Sequence, residues 1–151
     1  VENAGVSGDT PAGGRARLGW AIGNDPAGVI LELGANDALR GLDPEKAYEN
    51  LSAMLSELAA KNIPVLLAGM KAPPNMGEEY AREFDALYRR LAEEFDVVFY
   101  PFFLDGVAGT PSLNQDDGMH PTAGGVDVIV ERIMPKVDAL LSRIQGRKGK
   151  G

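Results

Sequence analysis

Three apolar runs, "GVILELG" (28–34), "IPVLLAGM" (63–70) and "DVVFYPFF" (96–103), are short and almost uninterrupted by polar residues. A strand with one wet face would alternate, so these runs read as strands buried on both faces, as in a parallel sheet covered by helices. The stretches between them have helical spacing. In "PEKAYENLSAMLSELAAKN", Leu51, Met54, Leu55 and Leu58 make one apolar stripe, with Asp43 as N-cap and Pro44 at the first helical position. "GEEYAREFDALYRRLAEEF" places Tyr80, Phe84, Leu87, Tyr88 and Leu91 on one side, and its acidic start suits the helix dipole. A third helix within 122–145 carries Val126, Ile129, Val130, Ile133, Val137 and Leu140, and Pro135 inside it is expected to kink or break it.

Strands alternating with helices imply an α/β fold, doubly wound about a parallel sheet in three layers. Right-handed crossovers gather the loops that follow the strands on one edge of that sheet. The loops are "GVSGDT", "GANDALRG", "MKAPPNMG" and the segment from Phe103 to His120. On this reading residues 1–145 are one domain, Val1 already lies in a strand, and 146–151 ("GRKGKG") are a basic flexible tail. A mass of 16.0 kDa suffices for one buried core. The net charge of −7 and pI near 4.7 argue against a nucleic-acid partner. Without cysteine there is no disulfide, thiolate metal site or cysteine nucleophile, and a single histidine makes zinc an unexpected ligand. A metal site is therefore not expected. No apolar stretch reaches the roughly 20 residues of a membrane helix, and no signal peptide is recognisable.

The one histidine sits in "QDDGMHP". Asp117, three positions upstream, is placed to accept the Nδ1 proton of His120, which would fix the tautomer and leave Nε2 as a base. "GAND" follows a buried strand and points the Asn36 amide into the same crevice. "GVSGDT" offers the Gly8 N–H, and the two donors together suit an oxyanion hole. Each feature also has a plainer reading. His120 before a proline is a common turn residue, Asn36-Asp37 suits a loop or helix cap, and "GVSGDT" before a helix could be a tight turn or a phosphate cradle. Their convergence on one edge favours the chemical reading.

Taken together, "VENAGVSGDT", "ILELGANDALRGL", "FDVVFYPFF" and "QDDGMHPTAGG" resemble the SGNH (GDSL-type) hydrolases, in their thioesterase I/arylesterase/lysophospholipase branch. The resemblance covers nearly the whole chain and implies a flavodoxin-like three-layer fold. It implies a serine esterase for carboxylic esters or thioesters, small molecules, working through an acyl-enzyme without cofactor. In it His120 is the base, Asp117 orients it, and Gly8 with Asn36 completes the oxyanion hole. Leu39, Leu42, Pro73, Pro74 and Met76 are expected to line the acyl or alcohol pocket, or equally to pack under mobile loops. A periplasmic or secreted location is also implied.

The family's first block, a strand ending in Gly-Asp-Ser, has no counterpart in these 151 residues. Ser7 lies in the oxyanion loop and reads as structural. Ser52, Ser56 and Ser142 fall on helices, and Ser112 precedes the Asp-His pair. The absent strand is expected at the centre of the sheet, so two inner edges should be open without it. The sequence is then expected to be part of a longer protein or to bind its own N-terminal segment noncovalently; a degenerate, noncatalytic binding module is the alternative. A flavodoxin-like nucleotide binder is a further rival, disfavoured by the negative charge and the Asp-His pair.

Overall fold

The structure is a computed structural model that describes residues 1–148. Each apolar run contains one strand: β1 (Val29–Glu32), β2 (Val65–Ala68) and β3 (Val98–Tyr100). They are parallel, in the spatial order β1-β2-β3, with Ile30 beside Leu66 and Leu66 beside Val98. Alternation along the strands divides the apolar side chains between two faces. Leu31, Val65 and Leu67 join the larger core, under α1 (Pro11–Ala21), α3 (Pro44–Ala60) and α4 (Glu78–Glu94). Leu66, Val98 and Tyr100 face the other way and meet Ile133 and Leu140 of α5 (Ala123–Lys148). The result is the expected α/β sandwich of three layers.

The helices form where the spacing predicts. The Asp43 side chain caps α3 by accepting from the Glu45 N–H at 2.9 Å, and Leu51, Met54, Leu55 and Leu58 are buried. Each such side chain contributes about 1.5–3 kcal/mol by leaving water. Phe84, Leu87, Tyr88 and Leu91 do the same for α4, with Glu78 and Glu79 in its first turn.

Four expectations need correction or narrowing. Residues Val1 to Val6 form no strand: a strand needs a hydrogen-bonding neighbour, and none lies beside them. Among the described residues β1 and β3 form the two edges of the sheet. α5 is not broken at Pro135, one of the two outcomes expected: that residue is exposed, and the Glu131 carbonyl that loses its N–H partner also lies on an exposed residue, within reach of water. Residues 146–148, expected in a flexible tail, are the last residues of α5; the rest of that tail lies outside the described residues. Lastly, Val126 and Val130, expected in the core, are exposed, as are Met134 and Leu141.

These four side chains recur at helical spacing and flank the buried stripe of α5. Ile30 on β1 points toward the same layer, since its neighbour Leu66 packs against α5, yet Ile30 is 49% exposed. α5 covers β2 and β3, with Leu66, Val98 and Tyr100 packed against it, and Ile30 on this side of β1 is left half exposed.

Candidate active site

β1 delivers the first candidate group. Beyond Glu32 the chain turns at Gly34, whose φ of +117° is open only to glycine, and enters α2 (Ala35–Arg40). A Cβ at Gly34 would also collide with the Tyr88 hydroxyl, which donates to the Leu33 carbonyl at 2.8 Å. Asn36 stands in the first turn of α2, and the N-cap is Gly34, so neither Asn36 nor Asp37 serves as a cap. The Asn36 Nδ2 donates to the Asp9 carbonyl at 2.9 Å. This joins the β1 loop to the turn that contains Gly8, with φ of +77°. Across the same turn Arg40 donates to the Gly8 carbonyl at 3.2 Å.

The Asp9 side chain closes the network from behind. Its Oδ1 accepts from the Thr10 N–H at 2.9 Å and its Oδ2 from Arg17 Nε at 2.7 Å. Arg17 Nη1 reaches on to the Ala4 carbonyl at 2.6 Å. Asp37 is buried; loss of hydration pushes its carboxyl up from the ordinary value, against the lowering effect of Arg40.

Beyond β3 a long loop returns to α5. It is pinned by buried Asn114, whose Nδ2 donates to the carbonyls of Val107 (2.7 Å) and Thr110 (2.8 Å). Asn114 also bridges to Pro121, and the Gln115 N–H donates to the His120 carbonyl at 2.7 Å, so the intervening residues close a tight turn. Inside it Asp117 Oδ1 accepts from the N–H groups of Met119 (2.8 Å) and His120 (2.9 Å). Asp117 Oδ2 lies 2.6 Å from His120 Nδ1. Hydrogen bonds from the His120 backbone, the His120 ring and the Met119 backbone lower the Asp117 pKa to about 2. The His120 side chain is 69% exposed, and its Nε2 bonds to no other described residue.

The remaining residues expected at the site flank these groups. Leu39 and Leu42 are exposed at the end of α2, Pro73 and Pro74 open a short 3-10 turn, and Met76 ends it. Met76 lies against Gly41, and the Tyr80 hydroxyl donates to the Leu42 carbonyl at 2.7 Å, which ties the two loops together. Two groups thus form separately: Gly8 with Asn36, and Asp117 with His120. Among the described residues no hydrogen bond joins one to the other. A cavity of about 410 Å³ opens at the opposite, N-terminal edge of the sheet, between Lys61, Pro64 and Ile144, away from both.

Residues 1–128 match the GDSL-like Lipase/Acylhydrolase family. The chain is 40% identical over 142 residues to Esterase TesA of Pseudomonas aeruginosa, covering 93% of itself and 71% of that protein. It is 38% identical over 143 residues to Thioesterase 1/protease 1/lysophospholipase L1 of Escherichia coli, covering 94% of itself and 69% of the relative. Its backbone superimposes on the esterase EstA from Pseudoalteromonas sp., a structure inhibited by monoethylphosphonate, with a TM-score of 0.87 at 31% identity, over 93% of this chain and 78% of that one. The architecture, the sequence match and the relatives agree, and the chain belongs to the GDSL-like lipase/acylhydrolase family, among esterases and thioesterases.

Proposed function

We propose that this chain forms the larger part of a serine hydrolase that cleaves carboxylic esters or thioesters through an acyl-enzyme. The Asp117–His120 contact carries the reading. A carboxylate held by three hydrogen bonds orients the ring through Nδ1 and leaves Nε2 toward solvent, the arrangement a general base requires. Nε2 takes the proton of a serine hydroxyl as its oxygen bonds to the acyl carbon. The carbonyl electrons move onto the former carbonyl oxygen, where the Gly8 N–H and the second Asn36 amide hydrogen meet the charge. The first amide hydrogen is already held by Asp9, which sets the orientation of the group. When the tetrahedral species collapses, His120 returns the proton to the departing alcohol or thiol. Water then repeats the sequence and frees the acid. Leu39, Leu42, Pro73, Pro74 and Met76 contact the acyl or alcohol part. The phosphonate that inhibits the Pseudoalteromonas relative is a tetrahedral anion of the kind such a hole accepts.

The serine comes from a strand ending in Gly-Asp-Ser that is not among these 151 residues. Ser7 belongs to the Gly8 turn, Ser142 donates to the Asp138 carbonyl on α5, and no serine is hydrogen-bonded to His120. The unpaired edge of β1 and the half-exposed Ile30 on it support a site for that segment. The missing serine also leaves a second reading, a noncatalytic binding module. Phosphate binding at "GVSGDT" is disfavoured by the Asp9 carboxylate, which already occupies the start of α1.

The test is turnover of a nitrophenyl ester by the protein completed with its Gly-Asp-Ser segment, with and without a chelator. Turnover should survive chelation, and His120→Ala should nearly abolish it while the folded circular-dichroism spectrum is kept. A variant that retains a tenth or more of kcat removes His120 as the base.

A further inference from the structure

The Gly8–Asn36 pair is held by a charged clamp, and from it we infer that Arg17 is a positioning residue of the oxyanion hole, acting through Asp9. The inference rests on the hydrolase reading and names what keeps its two donors in register. Asp9 is common to both: it follows Gly8 directly, and its carbonyl accepts the Asn36 amide at 2.9 Å. Any shift of Asp9 moves the Gly8 N–H and the Asn36 amide relative to each other.

Arg17 fixes Asp9 on a rigid support. Its Nε–Oδ2 contact is 2.7 Å, with the side chains only 26% and 11% exposed. Through Nη1 the same guanidinium holds the Ala4 carbonyl at 2.6 Å, so it grips the 4–9 segment at both ends, with Gly8 between. Rigid attachment follows from α1: Gly14 packs so closely on Leu33 that a Cβ there would collide with it. The helix carrying Arg17 therefore rests on the segment that leads from β1 to Asn36. Gly13 is equally tight, since a Cβ would occupy the space of the Asp9 carboxylate. Arg40 grips the Gly8 carbonyl from the far side, but as an exposed 3.2 Å contact it is the weaker hold.

Charge gives Arg17 a second role. The Asp9 carboxylate lies one residue from an N–H that must receive a developing oxyanion, and an uncompensated negative charge there would oppose it. Paired with Arg17, the carboxylate keeps its geometry while its field is largely cancelled.

The experiment uses the full-length protein with its serine-bearing segment and measures two things in parallel. One is kcat and KM on a nitrophenyl ester. The other is hydrogen exchange of the backbone amides from Gly5 to Thr10. Arg17→Met should lower kcat about tenfold with KM changed less than twofold, because a misplaced donor is felt in the transition state. Arg17→Lys, which keeps the charge, should recover much of the loss, and Asp9→Asn in the Arg17→Met background should recover part of it. Arg17→Met and Asn36→Ala should combine less than additively, as expected for residues acting on one hole. Exchange at 5–10 should speed up in Arg17→Met and stay unchanged in the other elements. An unchanged kcat, an effect on KM alone, or full additivity with Asn36→Ala overturns the inference. Should the unsubstituted protein hydrolyse no ester, the hydrolase reading fails by itself. Exchange then decides the clamp: faster exchange at 5–10 supports it, and unchanged exchange overturns it.

Discussion

Asp117 does three things with two oxygens. It receives two backbone N–H groups that shape the turn and one ring N–H that sets the histidine. The consequence is a pH signature of known sign. Its folded pKa is lowered to about 2 from an ordinary value of 3.8, so the stability that the contact contributes is complete above about pH 4. It is lost as the pH falls from there through about 2. The Met119 and His120 amide resonances should therefore titrate together with a midpoint near 2, and a shared midpoint near 4 would show that the hydrogen bonds are not formed. Asn36 has the opposite character on the proposed reading, since its second amide hydrogen is kept for charge that develops in the reaction. Asn36→Ala in the completed protein should lower kcat by about a hundredfold or more with a smaller change in KM. A change confined to KM would make Asn36 a substrate-binding or loop residue.

Among the elements, α5 departs furthest from the simplest form of its sequence pattern. Pro135 leaves the Glu131 carbonyl without an intrahelical partner, in a helix that nevertheless continues to Lys148. Pro135→Ala should raise the unfolding free energy by about 1–3 kcal/mol, measured by urea denaturation, because it returns that hydrogen bond at an exposed position. A loss of stability would mean that the Pro135 ring helps Ile133 and Leu140 to reach the sheet. The same helix illustrates what was legible in the sequence. β1 to β3 could be read because strands buried on both faces leave uninterrupted apolar runs, and α3 because Asp43 and Pro44 mark its start. Val126 and Val130 misled: spacing tells which residues share a side of a helix, but whether that side is covered depends on another element. Val1 misled similarly, since β-forming residues still need a neighbouring strand. At the site, Asp117 and His120 were legible because a spacing of three closes within one turn. Arg17 was not, because its partners are a carbonyl and a carboxylate brought to it by the fold of the loop.

At the scale of the molecule, the sheet is covered by three helices on one face and by one on the other. Among the described residues β1 has no strand on its outer side, Ile30 is half exposed, and Val126, Val130, Met134 and Leu141 of α5 are exposed as well. The chain alone should not turn over a nitrophenyl ester. Adding a peptide with the missing strand and its Gly-Asp-Ser turn should restore turnover and raise the melting temperature together, since one event pairs the edge and supplies the hydroxyl. Activity in the chain alone that Ser7→Ala removes would make Ser7 the nucleophile. The two halves of the site also differ in how far apart their partners lie along the chain. Asp117 and His120 are separated by three residues, Asn36 and Asp9 by 27. Short loops close in tens of nanoseconds, whereas the longer one must await docking of α1 against the end of β1. The Asp117–His120 contact therefore belongs to the earliest local structure and the Asn36–Asp9 contact to the completed fold. In a partly melted population the first would outlive the second, so a probe of the Asp117–His120 contact and an assay of turnover would record different transitions in the same sample.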